Sequence, residues 1–420
     1  MLGLILSAPA SGSGKTTLTL GLLRALHRRG TPVRGAKSGP DYIDPAFHEA
    51  ACGAPSMTLD AWSMTPDRVR ALAQGDGLLI VEGAMGLFDG APPDGTGATA
   101  DLARMLNLPV VLVVDAGRMS HSVGPLAAGF AHADPNVRVA GVILNRVGSD
   151  RHLGMLSHGL EKAGIPLLGA LMRDPELALP ERHLGLVQAR EHPALDAFLD
   201  HAADAVAKGI DLDVLTALAR PLPEAPALAS APAPRRIAIA RDAAFTFIYP
   251  HLLRDWSAAG SRITFFSPLA NDPVPDADRV YLPGGYPELH AAQIANASVF
   301  IDSLRNAAQH TDIYGECGGY MVMGDHLTDA SGTTHRMAGL LRLHTSFAQR
   351  KRHLGYRQLT ARGGCLSGAF RGHEFHYATT VSATGTPLFD AWDAEGNALA
   401  PMGLIEGRAC GSFAHLVAAV

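Results

Sequence analysis

The 420-residue sequence predicts two α/β domains, each organised on a mainly parallel sheet, with an extended linker between them. Three observations carry that expectation. Short apolar runs alternate with helical stretches in both halves, a proline- and alanine-rich segment separates the halves, and each half holds a glycine-rich turn between a strand and a helix. Unbroken rather than alternating hydrophobicity marks strands covered on both faces, as parallel strands are.

In the first half, strands are read at 2–7, 33–36, 78–81, 110–114, 140–144 and 167–171, with a helical stretch at 18–27. Residues 218–234 (LARPLPEAPALASAPAP) have the composition of a semi-rigid linker. The domains are therefore placed at 1–220 and 235–420, with the linker at 221–234. In the second half, strands are read at 237–240, 263–266, 279–282 and 313–315. From about Met337 the chain is richer in Gly, Thr and His and reads as more antiparallel. No internal repeat relates the halves.

At 47% apolar and 18% charged residues the chain reads as globular, and its length exceeds one ordinary core. A net charge of −5 argues against a nucleic-acid partner. No apolar run approaches the roughly 18 residues of a membrane span, and the N-terminus reads as a strand rather than a signal core, so cytoplasmic residence is expected. Cys52, Cys317, Cys365 and Cys410 lie far apart with no CxxC pair, which predicts reduced thiols and no zinc framework.

The first turn is Ser11-Gly12-Ser13-Gly14-Lys15-Thr16-Thr17. Its glycines let backbone N–H groups turn inward around phosphate oxygens, the following helix adds its dipole, and lysine adds a point charge. Thr16 would place its hydroxyl on Mg²⁺, so ATP with Mg²⁺ is expected here; Pro9 stands where the pattern usually has its first glycine. Asp41 and Asp44 (KSGPDYIDP), Glu82 at a strand end and Asp89 (GAMGLFDG) are candidates to complete the site, because such ends face the ligand side of a parallel sheet. Glu82 directly follows LLIV, where a charge is costly without a partner. Asp44 reads equally as a solvated loop residue, and Asp115 equally as a ligand contact or a helix cap.

The second turn is Glu316-Cys317-Gly318-Gly319-Tyr320, the GxCxG form of a nucleophile elbow. The Gly318 N–H is a natural oxyanion donor, and Gly285 in PGGYPE offers a second. The glycines beside Cys317 have no evident packing use, which separates it from Cys52, Cys365 and Cys410, read as structural. A thiol needs a base to react near neutral pH. His376 (GHEFHY) and His415 (GSFAH) are both candidates, and spacing does not choose between them.

Together, SGSGKTT, KSGPDYIDP, VEGAMGLFDG, PGGYPE, GECGGYM and GHEFHY resemble the cobyrinic and hydrogenobyrinic acid a,c-diamide synthases, in order from residue 7 to residue 415. Single motifs are weak; six in register are specific. The resemblance implies a dethiobiotin-synthetase-like P-loop domain followed by a class I glutamine amidotransferase domain. It implies that Cys317 attacks glutamine, that His415 activates it, and that ammonia passes internally to the first domain. There ATP would phosphorylate the c and then the a acetate of a corrinoid-type tetrapyrrole polycarboxylate, and ammonia would displace phosphate. By the same likeness Ser11 to Thr17 hold the nucleotide, Thr16, Asp41 and Glu82 hold Mg²⁺, and Asp41 and Asp89 meet substrate. Asn145 resembles an adenine-reading position, and equally an ordinary strand-end cap.

Activation is needed because a carboxylate and ammonia do not condense in water, and sequestered ammonia stays unprotonated. A polycarboxylate substrate calls for a basic patch. Arg350, Lys351, Arg352, His353 and Arg357 are candidates, with a solvated face as the plain alternative.

The chain departs from the class I pattern in one place. The usual His-x-Glu is His415-Leu416-Val417, so the group that orients His415 is unassigned and slower or differently oriented glutamine hydrolysis is expected. Rival readings are a cobyric acid synthase and a ParA-like ATP switch fused to an inactive amidotransferase domain. Intact Cys317 and its downstream histidine speak against the switch. Cobalt-free and cobalt-containing rings both remain open, with a lean to the cobalt-free one, and a homodimer is one assembly the sequence allows.

Overall fold

The computed structural model describes residues 1–178, 193–227 and 233–420, with short stretches at 181–182, 185–186 and 189–191. The chain divides into two compact units, Met1–Leu228 and Ala229–Val420. Residues 228–232 of the expected linker lie outside the described residues.

In the first unit the strands are β1 (Leu2–Ser7), β2 (Val33–Ser38), β3 (Met57–Leu59), β4 (Leu78–Glu82), β5 (Val110–Asp115), β6 (Val139–Val147) and β7 (Leu167–Met172). They form a parallel sheet in the order β3-β2-β4-β1-β5-β6-β7, and Arg220–Pro221 adds antiparallel to β1. The core of the central strand is fully enclosed: Leu4, Ile5 and Leu6 are fully buried. Burying each such side chain contributes roughly 1.5–3 kcal/mol.

All six expected strands are present, and most run one to three residues further than their apolar cores. Ladder pairing continues past the last apolar residue, so Lys37 stands in register beside Glu82 and Asp115 beside Asn145. Helix α1 (Lys15–Arg28) starts within the glycine turn and packs on α3 (Leu195–Gly209), with Arg24 paired to Asp200 at 2.8 Å. Between them in sequence, α2 (Asp44–Cys52) has Pro45 in its first turn, where a missing N–H costs nothing.

The second unit has β8 (Arg236–Ala240), β9 (Arg262–Phe266), β10 (Arg279–Leu282), β11 (Asp312–Glu316), β12 (His353–Ala361), β13 (Ala369–His376), β14 (Phe389–Trp392), β15 (Leu404–Glu406), β16 (Ala409–Ser412) and β17 (Ala414–Ala419). One sheet has the order β9-β8-β10-β11-β16-β15, parallel except for β15. A second, antiparallel sheet has the order β14-β12-β13-β17. Side chains alternate across β10: Val280 and Leu282 enter one apolar cluster with Ile313 and Phe300, whereas Tyr281 enters another with Tyr314, Leu359 and Phe389. That alternation is the strand period of two.

Cys365 and Cys410 pair as a disulfide across 45 residues, which corrects the expectation that all the thiols are reduced. The loop after β12 brings Cys365 against β16, a proximity that cysteine spacing does not encode. Among the described residues, no helix is long and apolar enough to cross a membrane.

Candidate functional site

The first site begins where β1 turns into α1. Gly12 and Gly14 adopt φ of 77° and 86°, the left-handed region that glycine enters without strain. Gly14 has a second reason to be glycine, since a Cβ there would lie 2.1 Å from Asn145 Nδ2. That amide donates to the Ser13 carbonyl at 2.9 Å, and Arg146, ion-paired with Asp115, donates to the Gly12 carbonyl at 2.9 Å. Asn145 therefore braces the phosphate loop from the end of β6. Asp115 neither caps a helix nor joins the acid cluster; its carboxylate accepts from Gly117 N and pairs with Arg146. Ser13 Oγ donates to Ala10 O at 2.9 Å, Thr17 Oγ1 donates to Leu177 O at 3.2 Å, and Ser11 is exposed.

The Lys15 ammonium is buried and donates to Met85 O at 2.5 Å. Burial, then the Lys37 charge, pushes it down to about 8. Glu82 lies at the centre of the acidic side. Its carboxylate accepts from the Thr16 hydroxyl at 2.5 Å, pairs with Lys37 at 2.7 Å and meets His48 Nε2 at 2.8 Å. Burial alone would raise its carboxyl, but Lys37 and His48 outweigh burial and hold it below the usual carboxylate range. Lys37 also pairs with Asp44 at 2.5 Å. Burial would lower the Lys37 ammonium, yet Asp44 and Glu82 outweigh it and raise the group well above an ordinary lysine.

Asp44 is buried rather than solvated. Burial and the neighbouring Asp41 push its carboxyl up to about 7. Asp41 Oδ1 accepts from Ile43 N and Asp44 N, so this acid caps the entry to α2, and Asp89 Oδ2 accepts from Gly86 N at 2.9 Å. Glu82, Asp89 and Asp44 all act electrostatically on Lys15. Hard oxygens of Thr16 and Glu82 thus converge beside a loop of open backbone, a donor set that suits Mg²⁺ and a polyphosphate.

The second site is built on the end of β11. Cys317 stands between β11 and α4 (Gly318–Met323), with φ 46° and ψ −104°, a strained backbone of the kind that collects at functional turns. The flanking glycines do have a packing use, contrary to the sequence reading: a Cβ on Gly319 would meet Leu282 O at 1.9 Å. A Cβ on Gly284 would lie 2.4 Å from His415 Cε1 and 3.2 Å from Cys317 Cβ, so the thiol and the imidazole share one pocket floor. A Cβ on Gly318 would lie 3.0 Å from Gly285 N, which sets the two expected oxyanion donors side by side. Burial, then Glu288, pushes the Cys317 thiol up, so an adjacent base is needed for it to react.

His415 borders the same Gly284 position as Cys317, whereas His376 is engaged by Glu374. His376 Nε2 meets Glu374 Oε1 at 2.9 Å, and its ring stacks on Phe413 and His353. His353, Glu374 and His376 bring their ligand atoms within 4.8 Å of one another. The two imidazoles are stacked at 4.6 Å and 6°, however, so no ion lies in the plane of both rings. In the basic run, Arg350, Lys351 and Arg352 are exposed. Arg357 leaves the expected patch because Glu374 neutralises it at 2.7 Å.

Residues 4–187 match the CobQ/CobB/MinD/ParA nucleotide binding domain, and residues 236–419 match the CobB/CobQ-like glutamine amidotransferase domain. A hydrogenobyrinate a,c-diamide synthase of Rhizobium meliloti is 54% identical over 99% of both chains. Proteins of that name from Brucella anthropi and Agrobacterium fabrum are 52% and 49% identical over 99% of this chain and 98% of theirs. The chain belongs to the hydrogenobyrinate a,c-diamide synthase family.

Each family domain contains one of the two sites: Lys15, Thr16 and Glu82 in the nucleotide-binding match, Cys317 and His415 in the amidotransferase match. Sequence reasoning missed Lys37 and His48. Lys37 stands inside the quoted KSGPDYIDP motif, and Glu82 announced that it needed a partner. His48 carried no such signal, since its ring fills the place that Gly35 leaves open in β2, where a Cβ would lie 2.7 Å from His48 Cβ.

Proposed function

We propose that this chain is an ATP-dependent, glutamine-hydrolysing ligase that amidates the a and c acetate carboxylates of hydrogenobyrinic acid in cobalamin biosynthesis. The observation that carries the reading is the strained Cys317 beside His415 and twin backbone amides, in a chain whose full-length relatives bear that synthase name.

In the second unit, the Cys317 sulfur attacks the glutamine side-chain amide carbon and its proton passes to His415. The Gly285 and Gly318 N–H groups meet the oxyanion, the C–N bond breaks as His415 passes the proton to departing ammonia, and water then cleaves the resulting glutamyl thioester to glutamate and the free Cys317 thiol. In the first unit, the loop from Ser11 to Thr17 holds the nucleotide phosphates and Lys15 supplies a charge to them. Thr16 and Glu82 hold Mg²⁺, which when bound neutralises phosphate charge. Asp41 and Asp89 face the macrocycle, whose carboxylate takes a phosphoryl group from ATP; ammonia then displaces phosphate. The exposed run from Arg350 to Arg352 attracts the polycarboxylate, and the cytoplasm supplies both nucleotide and glutamine.

The test is mass spectrometry after incubation with ATP, Mg²⁺ and glutamine. Hydrogenobyrinic acid is expected to gain two amides. A gain at other side chains, or ATP turnover indifferent to glutamine and macrocycle, overturns the reading.

A further inference from the structure

The position that would complete His-x-Glu is Val417, so the acid that orients His415 has to come from another element. We propose that Glu316, the residue just before the nucleophile, is the positioning acid of His415. This deepens the reading of Cys317 and His415 as the glutamine-hydrolysing pair and rests on it.

Glu316 Oε2 lies 3.6 Å from His415 Nδ1, with side chains 2% and 0% exposed. At that separation the contact is electrostatic rather than a hydrogen bond, and such contacts tighten when the imidazolium forms. The carboxylate is held in place by neutral donors. Oε2 accepts from the Tyr281 hydroxyl at 2.8 Å, and Oε1 accepts from the Tyr314 hydroxyl at 3.0 Å and from Leu416 N at 3.1 Å. Leu416 follows His415 directly, so the acid is tied to the backbone that carries the base.

Strand geometry explains how neighbours in sequence take different tasks. Tyr314 and Glu316 share one face of β11, and Tyr281 is the register partner of Tyr314, with the rings stacked at 5.9 Å. The positive φ of Cys317 then turns the thiol away from that face towards Gly284. The acid and the nucleophile approach His415 from two sides.

The charged and titratable groups about the Cys317–His415 pair are Glu316 from β11, Cys317 at the elbow, the buried Glu288 that acts on Cys317, and His373, the register partner of His415 on β13, with Arg357 and Glu374 behind His373. Burial and His415 push the His373 imidazole down to about 3, so it stays neutral. Arg357 and Glu374 neutralise each other. Glu316 is the carboxylate whose oxygen lies beside His415 Nδ1, placed to balance an imidazolium there. By facing Nδ1 it favours the tautomer with the proton there, leaving Nε2 to take the thiol proton.

The experiment measures glutamine hydrolysis by the full chain as kcat, KM and a pH profile, for wild type, Glu316→Gln, Glu316→Asp, Tyr281→Phe and His415→Ala. Glu316→Gln is expected to lower kcat about 10²-fold with little change in KM, and to move the acid limb of kcat/KM to lower pH because His415 loses its anion. Glu316→Asp keeps the charge and recovers part of the rate. Tyr281→Phe removes a donor from the same carboxylate, leaves it more basic and moves the limb to higher pH. A merely structural role would not produce opposite shifts, and Tyr281→Phe alone decides the matter should Glu316→Gln fail to fold. Unshifted limbs, or a Glu316→Gln kcat near wild type while His415→Ala is inactive, overturn the proposal alone. No hydrolysis by wild type, or full hydrolysis by His415→Ala, overturns the underlying reading and this proposal with it.

Discussion

The Thr16 hydroxyl donates to the Glu82 carboxylate at 2.5 Å, joining the first turn of α1 to the end of β4 across 66 residues. This contact carries the nucleotide loop onto the acidic cluster. Glu82→Gln keeps the shape of the side chain and removes the charge that Lys37 and His48 face. Turnover is expected to fall at least about 10²-fold with either glutamine or ammonia as the nitrogen source. Steady-state ADP release in the presence of the macrocycle checks this, and retained turnover removes Glu82 from the site.

Gly14→Ala places a methyl group 2.1 Å from Asn145 Nδ2 in a backbone of φ 86°. The strained φ alone costs about 1–2 kcal/mol. Nucleotide affinity should drop by roughly tenfold or more, read by titration of a fluorescent ATP analogue, while glutamine hydrolysis in the other unit persists. Unchanged affinity would show that the loop tolerates a side chain where the structure leaves no space.

Cys317→Ala removes only the source of ammonia. Amide formation with glutamine should disappear and amide formation with added ammonium should persist near the wild-type rate. Equal loss with both donors would contradict the division of labour between the two sites.

Burial, then Glu288, raises the Cys317 thiol, so in the free enzyme the thiolate is scarce near neutrality. Alkylation by iodoacetamide should be slow at pH 7 and should rise with pH beyond 9. Glu288→Gln removes one raising charge and should speed the reaction at pH 8. Mass-spectrometric labelling rates check both, and a neutral-pH rate equal to that of free cysteine would refute the buried-thiol account.

Glu374 offers a stability test with a defined sign. Burial would raise its carboxyl, but His376 and Arg357 outweigh burial and hold it at about 2, below its ordinary value of 4.5. A depressed acid stabilises the fold above its unfolded value, and that stability is lost as pH falls from 4.5 towards 2. Glu374→Gln should therefore cost roughly 3 kcal/mol at pH 7 and less than half of that near pH 3, read from denaturant unfolding of the full chain. A pH-independent difference would assign the loss to packing instead.

Much of both sites was legible in the sequence because their turns are local. Gly12, Gly14 and Lys15 lie within one loop, and Cys317 and Gly318 are adjacent. Glu82 was readable as a charge needing a partner, since it follows four apolar residues. The partner itself was not, because Lys37 reaches Glu82 through parallel register between β2 and β4. The basic run was misread in part because Arg357 shows its charge in sequence, whereas its neutralising Glu374 lies on the paired strand.

The sequence by itself determined the strand–turn–helix units, the parallel sheets and which side chains are candidates to react. Each follows from apolar runs, glycine freedom and functional groups held within about ten residues. Tertiary structure alone decided that Asn145 and Arg146 brace the phosphate loop and that Cys365 pairs with Cys410, and it set His415, which residue spacing could not choose over His376, beside the Cys317 elbow. These choices depend on which distant strands and loops lie side by side, and that is a consequence of packing whole sheets rather than of any local preference.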